Sequence, residues 1–316
     1  MSVYITDYIQ NPNLESRVLN DRITKNKKDA EVLLVWHQII NNQFLNNFPN
    51  LKGVVRYGVG YDMVDLEAIN DRNLYFCNTP DYGTDEVSDT VIGMLMNISR
   101  GISQYNYACK RYKDNTWQEN TLPNIKRTSD INFGVIGAGR IGGSILRKAK
   151  AIGFNCLFYD PYKEAGYEKM LGVIRVDSQA ELLDISDIIS INTPLTNETR
   201  GMVNQDFILS MKQESSIINA ARGEIVSDLD IFIEPLKNNK LSSIALDVLP
   251  QEPPKGSRLI DAWRSNEEWI AGRVVINPHT SYFSDMAYIE MRTNAAKNAK
   301  RILDGETPIN IIVSKD

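Results

Sequence analysis

The sequence predicts an α/β protein built as two doubly wound parallel-sheet domains, the second inserted into the first, with a cleft between them. Three observations carry this expectation. The chain has 316 residues, more than the ~250–300 at which a single hydrophobic core usually stops growing. Short β-branched runs alternate with helical patterns, the signature of a parallel sheet covered on both faces. Two helical stretches, one near residue 100 and one at the C-terminus, are placed to carry the chain out of the first domain and back.

In chain order, VYITDY, AEVLLVW, GVVRYG and LYFCNT read as the strands of the first domain. Helical segments fall between them at Leu14–Arg22, Asn42–Phe48 and Asp65–Asp71. A helical pattern over Asp85–Tyr112 has apolar residues at Val87, Val91, Met94, Leu95 and Ile98 and no proline. At about 28 residues it would span ~40 Å, enough to reach from one domain to the next. INFGVI (131–136), FNCLFYD (154–160), DIISINT (187–193), SIINAA (216–221), SSIALDV (242–248) and RVVIN (273–277) read as the strands of the second domain. Helices are expected at Arg140–Ile152, Gln205–Gln213 and Ser227–Asn238. The tail is helical from Ser284 to Leu303, with Gly305 as its C-cap. The expected division is 1–100 with 282–316 for the first domain and 101–281 for the second.

Composition removes several function classes. Hydrophobic residues make up 42% and charged residues 24%, as in ordinary globular chains, which excludes disordered, collagen-like and coiled-coil readings. No run approaches the ~18 apolar residues of a membrane helix, and MSVYITDYIQ lacks the basic flank and cleavage site of a signal peptide. A net charge of −5 argues against a nucleic-acid partner and leaves small molecules or proteins. Cys77, Cys109 and Cys156 have no metal-ligand spacing and read as buried thiols in a reducing cytoplasm. With two histidines in the chain, any histidine chemistry falls to His37 or His279.

Gly137-Ala138-Gly139-Arg140-Ile141-Gly142 is a GxGxxG that follows a strand and opens a helix. Gly137 permits the tight turn, Gly139 lets backbone approach a pyrophosphate, and Gly142 allows close helix–strand packing. The helix N-terminus supplies N–H donors to the phosphates. Asp160 ends the next strand, where an acid binds both ribose hydroxyls and repels a 2′-phosphate. The expected cofactor is therefore NAD, in a Rossmann-like domain. Gly58-Val59-Gly60 lacks a third glycine and is not a second nucleotide site.

Three further stretches begin at or just past the ends of predicted strands, where open α/β sheets bind ligands. They are Asn219-Ala220-Ala221-Arg222-Gly223, Asp247 through Pro253, and Asn277-Pro278-His279-Thr280. An arginine can hold a carboxylate at two points. A histidine can exchange a proton with a hydroxyl during hydride transfer. A glutamate can hold that imidazole's orientation and favour its charged form. Taken singly, Arg222 also fits a surface ion pair, and His279 a cap on the final helix.

These residues resemble the D-isomer-specific 2-hydroxyacid dehydrogenases over most of the chain, from about Asp29 to Ile312. The likeness is nearest to the branch containing the C-terminal-binding proteins and their bacterial relatives. It is carried by RYGVGYD (56–62), PDYGTDEV (80–87) and PHTSYFS (278–284). The resemblance implies a catalytic set of Arg222, Glu252 and His279, and a substrate-carboxylate loop at Gly58, Val59 and Gly60. It puts cofactor contacts at Arg140, Ile141 and Asp160, with Thr193, Ala220, Asp247 and Thr84 around the adenosine and nicotinamide. It also implies a first domain that binds substrate, hinges near 98–103 and 280–285, and a homodimer. The chain departs from the family pattern twice. About twenty residues separate ITDY from AEVLLV, so the first domain is expected to be a strand short. Tyr282 stands where relatives often carry tryptophan or a small residue, and reads either as a substrate-facing wall or as interdomain packing. The leading expectation is interconversion of a 2-oxo acid and a D-2-hydroxy acid. Alternatives are an NADH-sensing scaffold of the C-terminal-binding-protein type, or a phosphite or formate dehydrogenase on the same fold.

Overall fold

A computed structural model describes residues 1–7, 9–113, 117–119 and 121–315. Tyr8, the end of the expected VYITDY strand, and Asp316, the end of the expected first domain, lie outside them. The chain divides into two compact units, one made of Met1–Gly83 with Phe283–Asp316, the other of Thr84–Tyr282. The second unit is thus inserted into the first along the chain.

In the first unit, β1 (Ser2–Ile5), β2 (Ala30–Val35), β3 (Gly53–Arg56) and β4 (Tyr75–Cys77) run parallel, each paired with the next. The six residues of β2, AEVLLV, are almost wholly buried, as expected of a parallel strand packed on both faces. Between β1 and β2 the described residues form the helix Asn13–Leu19 and no further strand, so β1 is an edge of the sheet. The core gathers Leu33, Val35, Leu45, Val54, Ile69 and Phe76.

The second unit holds β5 (Asn132–Ile136), β6 (Asn155–Tyr159), β7 (Ile174–Arg175), β8 (Ile188–Ile191), β9 (Ser215–Asn219), β10 (Leu241–Leu246) and β11 (Val274–Ile276). They form one parallel sheet in the order β11-β10-β9-β8-β5-β6-β7. The order reverses between β8 and β5, which marks the crevice where such sheets take their ligand. The helix Arg140–Ile152 follows β5, as its periodicity predicts, and stops at Gly153 in the left-handed region. It buries Ile145, Leu146 and Ala149, the two larger side chains contributing roughly 1.5–3 kcal/mol each. Back in the first unit, β12 (Ile311–Val313) closes that sheet antiparallel to β4.

Three expectations are corrected. The helix over Asp85–Tyr112 is two helices, Thr84–Arg100 and Ile102–Cys109, broken at Gly101 with φ 61°. Asn97 stabilises the break by accepting hydrogen bonds from the Ser103 backbone N–H and hydroxyl, both at 2.9 Å. The first of these helices also packs with the second unit, which moves the division from residue 100 to 83. Its partner is the helix Arg140–Ile152, where Ser88 meets Ser144 at 3.1 Å and Lys148 bridges Asp85 and Asp89. Among the cysteines, Cys77 and Cys156 are buried but Cys109 is exposed. Burial pushes the thiols of Cys77 and Cys156 up to about 12. No helix among the described residues is long and apolar enough to cross a membrane.

Candidate active site

The glycine-rich turn lies at the reversal of the second sheet. Gly137 leaves β5 with φ 87°, and a Cβ there would sit 2.8 Å from the Asn192 carbonyl oxygen just past β8. A Cβ at Gly142 would meet the Gly137 carbonyl oxygen at 2.0 Å, so helix and turn approach too closely for any side chain. Gly139, by contrast, has nothing within 4 Å of where a Cβ would stand. It caps the helix Arg140–Ile152 without a side-chain hydrogen bond, and the first turn carries no acid. Open space over uncapped N–H groups at a helix N-terminus fits a pyrophosphate. Beside it, the buried Thr193 hydroxyl oxygen has no hydrogen-bond partner, a polar atom left for a ligand to satisfy.

Asp160 follows β6 and is 8% exposed. Its carboxylate accepts from the Ala138 N–H at 2.9 Å and from the Tyr162 N–H at 3.0 Å. Each oxygen thus holds one loop and keeps acceptor capacity for another donor. These residues fit a dinucleotide whose adenosine hydroxyls reach Asp160. Arg140 and Ile141 open the helix at the pyrophosphate end.

The catalytic candidates are assembled by the loops after β9, β10 and β11. Past β9, the Asn219 side chain accepts from the Ala221 N–H at 3.0 Å and donates to the Arg222 carbonyl at 2.9 Å. That folds Ala220 and Ala221 into a short loop and fixes Arg222. Gly223 then passes the next loop so closely that a Cβ would lie 1.9 Å from the Leu249 carbonyl oxygen. Past β10, Asp247 is 2% exposed. Its backbone carbonyl accepts from the His279 N–H at 2.8 Å, and its carboxylate accepts from the N–H groups of Thr280 and Ser281 at 3.1 and 3.2 Å. His279 itself adopts φ 56°, a left-handed conformation uncommon outside glycine, held by those three bonds.

Glu252 joins the two loops. One carboxylate oxygen accepts from the Leu249 N–H at 2.8 Å, and the other lies 2.8 Å from His279 Nδ1. Burial alone would push Glu252 up, but the hydrogen bonds to His279 and Leu249 and the positive charges of His279 and Arg222 hold it below the usual carboxylate range. An ionised Glu252 makes Nδ1 the protonated nitrogen, leaving Nε2 to exchange a proton with a ligand. Burial has the opposite outcome at Asp247, whose carboxyl is raised despite its contacts with Ser281, His279 and Thr280.

Gly58, Val59 and Gly60 follow β3 in the first unit. Their carbonyl side is clamped, since Asn78 Nδ2 donates to the Val59 carbonyl at 2.7 Å and the Thr79 N–H to the Gly58 carbonyl at 3.3 Å. The Thr79 hydroxyl donates to the Arg56 carbonyl at 2.9 Å. The N–H groups of Gly58, Val59 and Gly60 have no hydrogen-bond partner among the described residues. A Cβ at Gly58 would lie 2.7 Å from the Arg56 guanidinium, so a larger residue there would displace that side chain. Asn78 and Thr79 were not singled out from the sequence; their signal was a polar pair just past a buried strand.

Thr84 begins the helix Thr84–Arg100, and Tyr282, half-buried, closes the second unit. His37 is 61% exposed; its backbone N–H donates to Asp7 at 2.6 Å.

Residues 92–281 match the family model described as "D-isomer specific 2-hydroxyacid dehydrogenase, NAD binding domain". This chain belongs to the D-isomer-specific 2-hydroxyacid dehydrogenase family. It is similar to a D-3-phosphoglycerate dehydrogenase of Methanocaldococcus jannaschii, with 29% identity over 98% of this chain and 57% of that one. A glyoxylate reductase of Korarchaeum cryptofilum is also 29% identical, over 92% of this chain and 85% of its own length. The chain therefore spans little more than half of the first relative. In fold it is similar to a D-lactate dehydrogenase from Aquifex aeolicus solved with NAD and lactic acid. That structure has a TM-score of 0.87 and 24% identity, and the match covers 100% of both chains. The NAD-binding domain expected from the glycine-rich turn is thus a family property, and the parallel-sheet fold is shared with solved members.

Proposed function

We propose that this protein is an NAD-dependent oxidoreductase that interconverts a 2-oxo acid and a D-2-hydroxy acid. The observation that carries the reading is the 2.8 Å contact between Glu252 and His279 Nδ1, on the same sheet edge as a turn fit for a dinucleotide. When bound, NAD would supply hydride chemistry at the nicotinamide. The residues of the chain would do the rest. Arg222 binds the substrate carboxylate and polarises the carbonyl; His279 Nε2 gives the oxygen its proton in reduction and takes it back in oxidation. Glu252 fixes the imidazole's orientation. Asp247 steadies the His279 loop from below and is a nicotinamide neighbour, together with Ala220 and Thr84. Thr193 and Asp160 serve the adenosine, with Arg140, Ile141 and the glycines Gly137, Gly139 and Gly142 at the pyrophosphate.

In the same proposal the first unit is the substrate domain. Its free N–H groups at Gly58, Val59 and Gly60 are the donors it offers a carboxylate, as backbone nests do with anions. Tyr282 forms a wall for the substrate side chain, and the protein acts as a cytoplasmic homodimer. Steady-state oxidation of NADH with glyoxylate, hydroxypyruvate, pyruvate and aryl pyruvates tests the reading. Saturable turnover with at least one of them supports it. NADH binding without turnover of any would overturn it in favour of a sensor.

A further inference from the structure

The first unit buries a charged pair that the proposed chemistry does not use. Glu15, on the helix Asn13–Leu19, is wholly buried. Arg292, on the C-terminal helix Asp285–Leu303, is 6% exposed. The two are joined at two points, Arg292 Nε to one Glu15 oxygen at 2.8 Å and Nη2 to the other at 2.6 Å. Arg292 also donates to the Asn11 carbonyl at 2.7 Å. The Glu15 oxygen that takes Nε accepts a further hydrogen bond, at 3.0 Å, from the hydroxyl of Tyr57. Tyr57 is wholly buried too, and its burial and the Glu15 charge raise its pKa well above 10, so the hydroxyl is always the donor.

Pairs of this kind seldom add stability over apolar side chains of the same volume, because desolvation offsets the Coulomb gain. What they supply is a fixed geometry. Here the geometry ends at one residue. Tyr57 directly precedes Gly58, and Gly58–Gly60 is the stretch whose carbonyls are clamped and whose N–H groups are free. Asn78 and Thr79 hold that loop by its carbonyls; its entry is set by Tyr57, whose N–H is bound to Val35 and whose hydroxyl is bound to Glu15.

We propose that Glu15 and Arg292 are positioning residues for the substrate-carboxylate loop, acting through the Tyr57 hydroxyl on the direction of the Gly58, Val59 and Gly60 N–H groups. The proposal rests on the oxidoreductase reading for its substrate, but not for its geometry. Tyr57→Phe removes one oxygen and keeps the ring. Its KM for glyoxylate or pyruvate should rise roughly three- to tenfold, the size of one net hydrogen bond. Its kcat and its Kd for NADH should stay within about twofold, because the Tyr57 hydroxyl is bound to Glu15 and to none of the residues assigned to proton transfer or the cofactor. The double variant Glu15→Leu with Arg292→Met removes both charges together, so no buried charge is stranded. It should melt within a few degrees of the wild type, yet show the same rise in KM.

A second measurement needs no substrate. The amide resonances of Gly58 and Gly60 in the ligand-free protein should shift and broaden in Tyr57→Phe. Unchanged KM together with unchanged glycine resonances overturns the proposal. So does a double variant that loses stability while keeping its KM, which would make the pair structural only. If the wild-type protein turns over none of these 2-oxo acids, hydroxypyruvate and aryl pyruvates included, the oxidoreductase reading fails, and the glycine resonances alone decide the brace.

Discussion

The two sheets of this molecule prepare for ligands in different ways. In the second, the strand order reverses between β8 and β5, and the crevice this opens is where Gly137, Thr193 and Asp160 gather. Topology places that site, and the glycines only have to stay out of its way. In the first, β1 to β4 follow one another without reversal, so no crevice arises from the winding. Its ligand-ready feature is a loop of three free N–H groups, and side chains make it: Asn78 and Thr79 on one side, Tyr57 with Glu15 and Arg292 on the other. A site made by winding should therefore fail steeply when its few chemical groups are removed. One made by distributed hydrogen bonds should fail in small steps.

The largest expected effect is at the sheet edge of the second unit. His279→Ala removes the one imidazole paired to Glu252 and should lower kcat by roughly 10²–10⁴, the usual contribution of a positioned acid–base group. NADH binding should survive, measured by quenching of protein fluorescence. A variant that kept its rate would shift attention to His37, at the end of β2. Next in size is Asp160→Ser. A carboxylate facing a 2′-phosphate in a partly desolvated site should cost a few kcal/mol, or roughly 100-fold in kcat/KM for NADPH against NADH. The serine should close much of that gap. Since Asp160 also ties Ala138 to Tyr162, KM for NADH should rise as well. Equal use of both cofactors by the wild type would break the assignment.

The same contrast governs what could be read from the sequence. The winding-built site was legible because its signals are local: a strand, a turn of glycines, a helix at Arg140–Ile152 and an acid at the next strand end. The loops bearing Arg222, Glu252 and His279 were legible for the same reason, each following a β-branched run. The break at Gly101 was not, because the apolar period continues across it and only the glycine's positive φ interrupts the helix. The helix Arg258–Ser265 and the two-residue strand Ile174–Arg175 also escaped notice, the strand because Ile174 is largely exposed and carries no burial pattern. The brace was invisible in principle. Glu15 and Arg292 stand at opposite ends of the chain, and nothing near either one announces the other.

A smaller effect belongs to the clamp on the first unit's loop. Asn78→Ala removes the donor to the Val59 carbonyl and frees that peptide to rotate. The expected cost is about 1 kcal/mol, seen as a rise of several-fold in KM for the 2-oxo acid at nearly constant kcat. A fall in kcat as large as that of His279→Ala would mean that the loop aligns the reacting carbon as well as the carboxylate, and would erase the contrast between the two sheets.

The smallest effect is a pH dependence at Glu252. Its carboxyl lies below the ordinary carboxylate value in the folded chain, so the unfolded chain takes up a proton first as pH falls. The contribution to stability is therefore complete above the ordinary glutamate value of about 4.3 and disappears as pH drops through the lowered folded value. The side chain is 36% exposed and its partner 45%, so solvent screening keeps that contribution under about 1 kcal/mol. Glu252→Gln keeps the shape and one acceptor oxygen, enough for Leu249 or His279 but not both, and cannot ionise. Its melting temperature should fall below that of the wild type by a few degrees at most at pH 6–7, and the two curves should converge towards pH 4 and below. A gap that persisted unchanged into acid would mean that Glu252 contributes through packing and its hydrogen bonds, not through its charge.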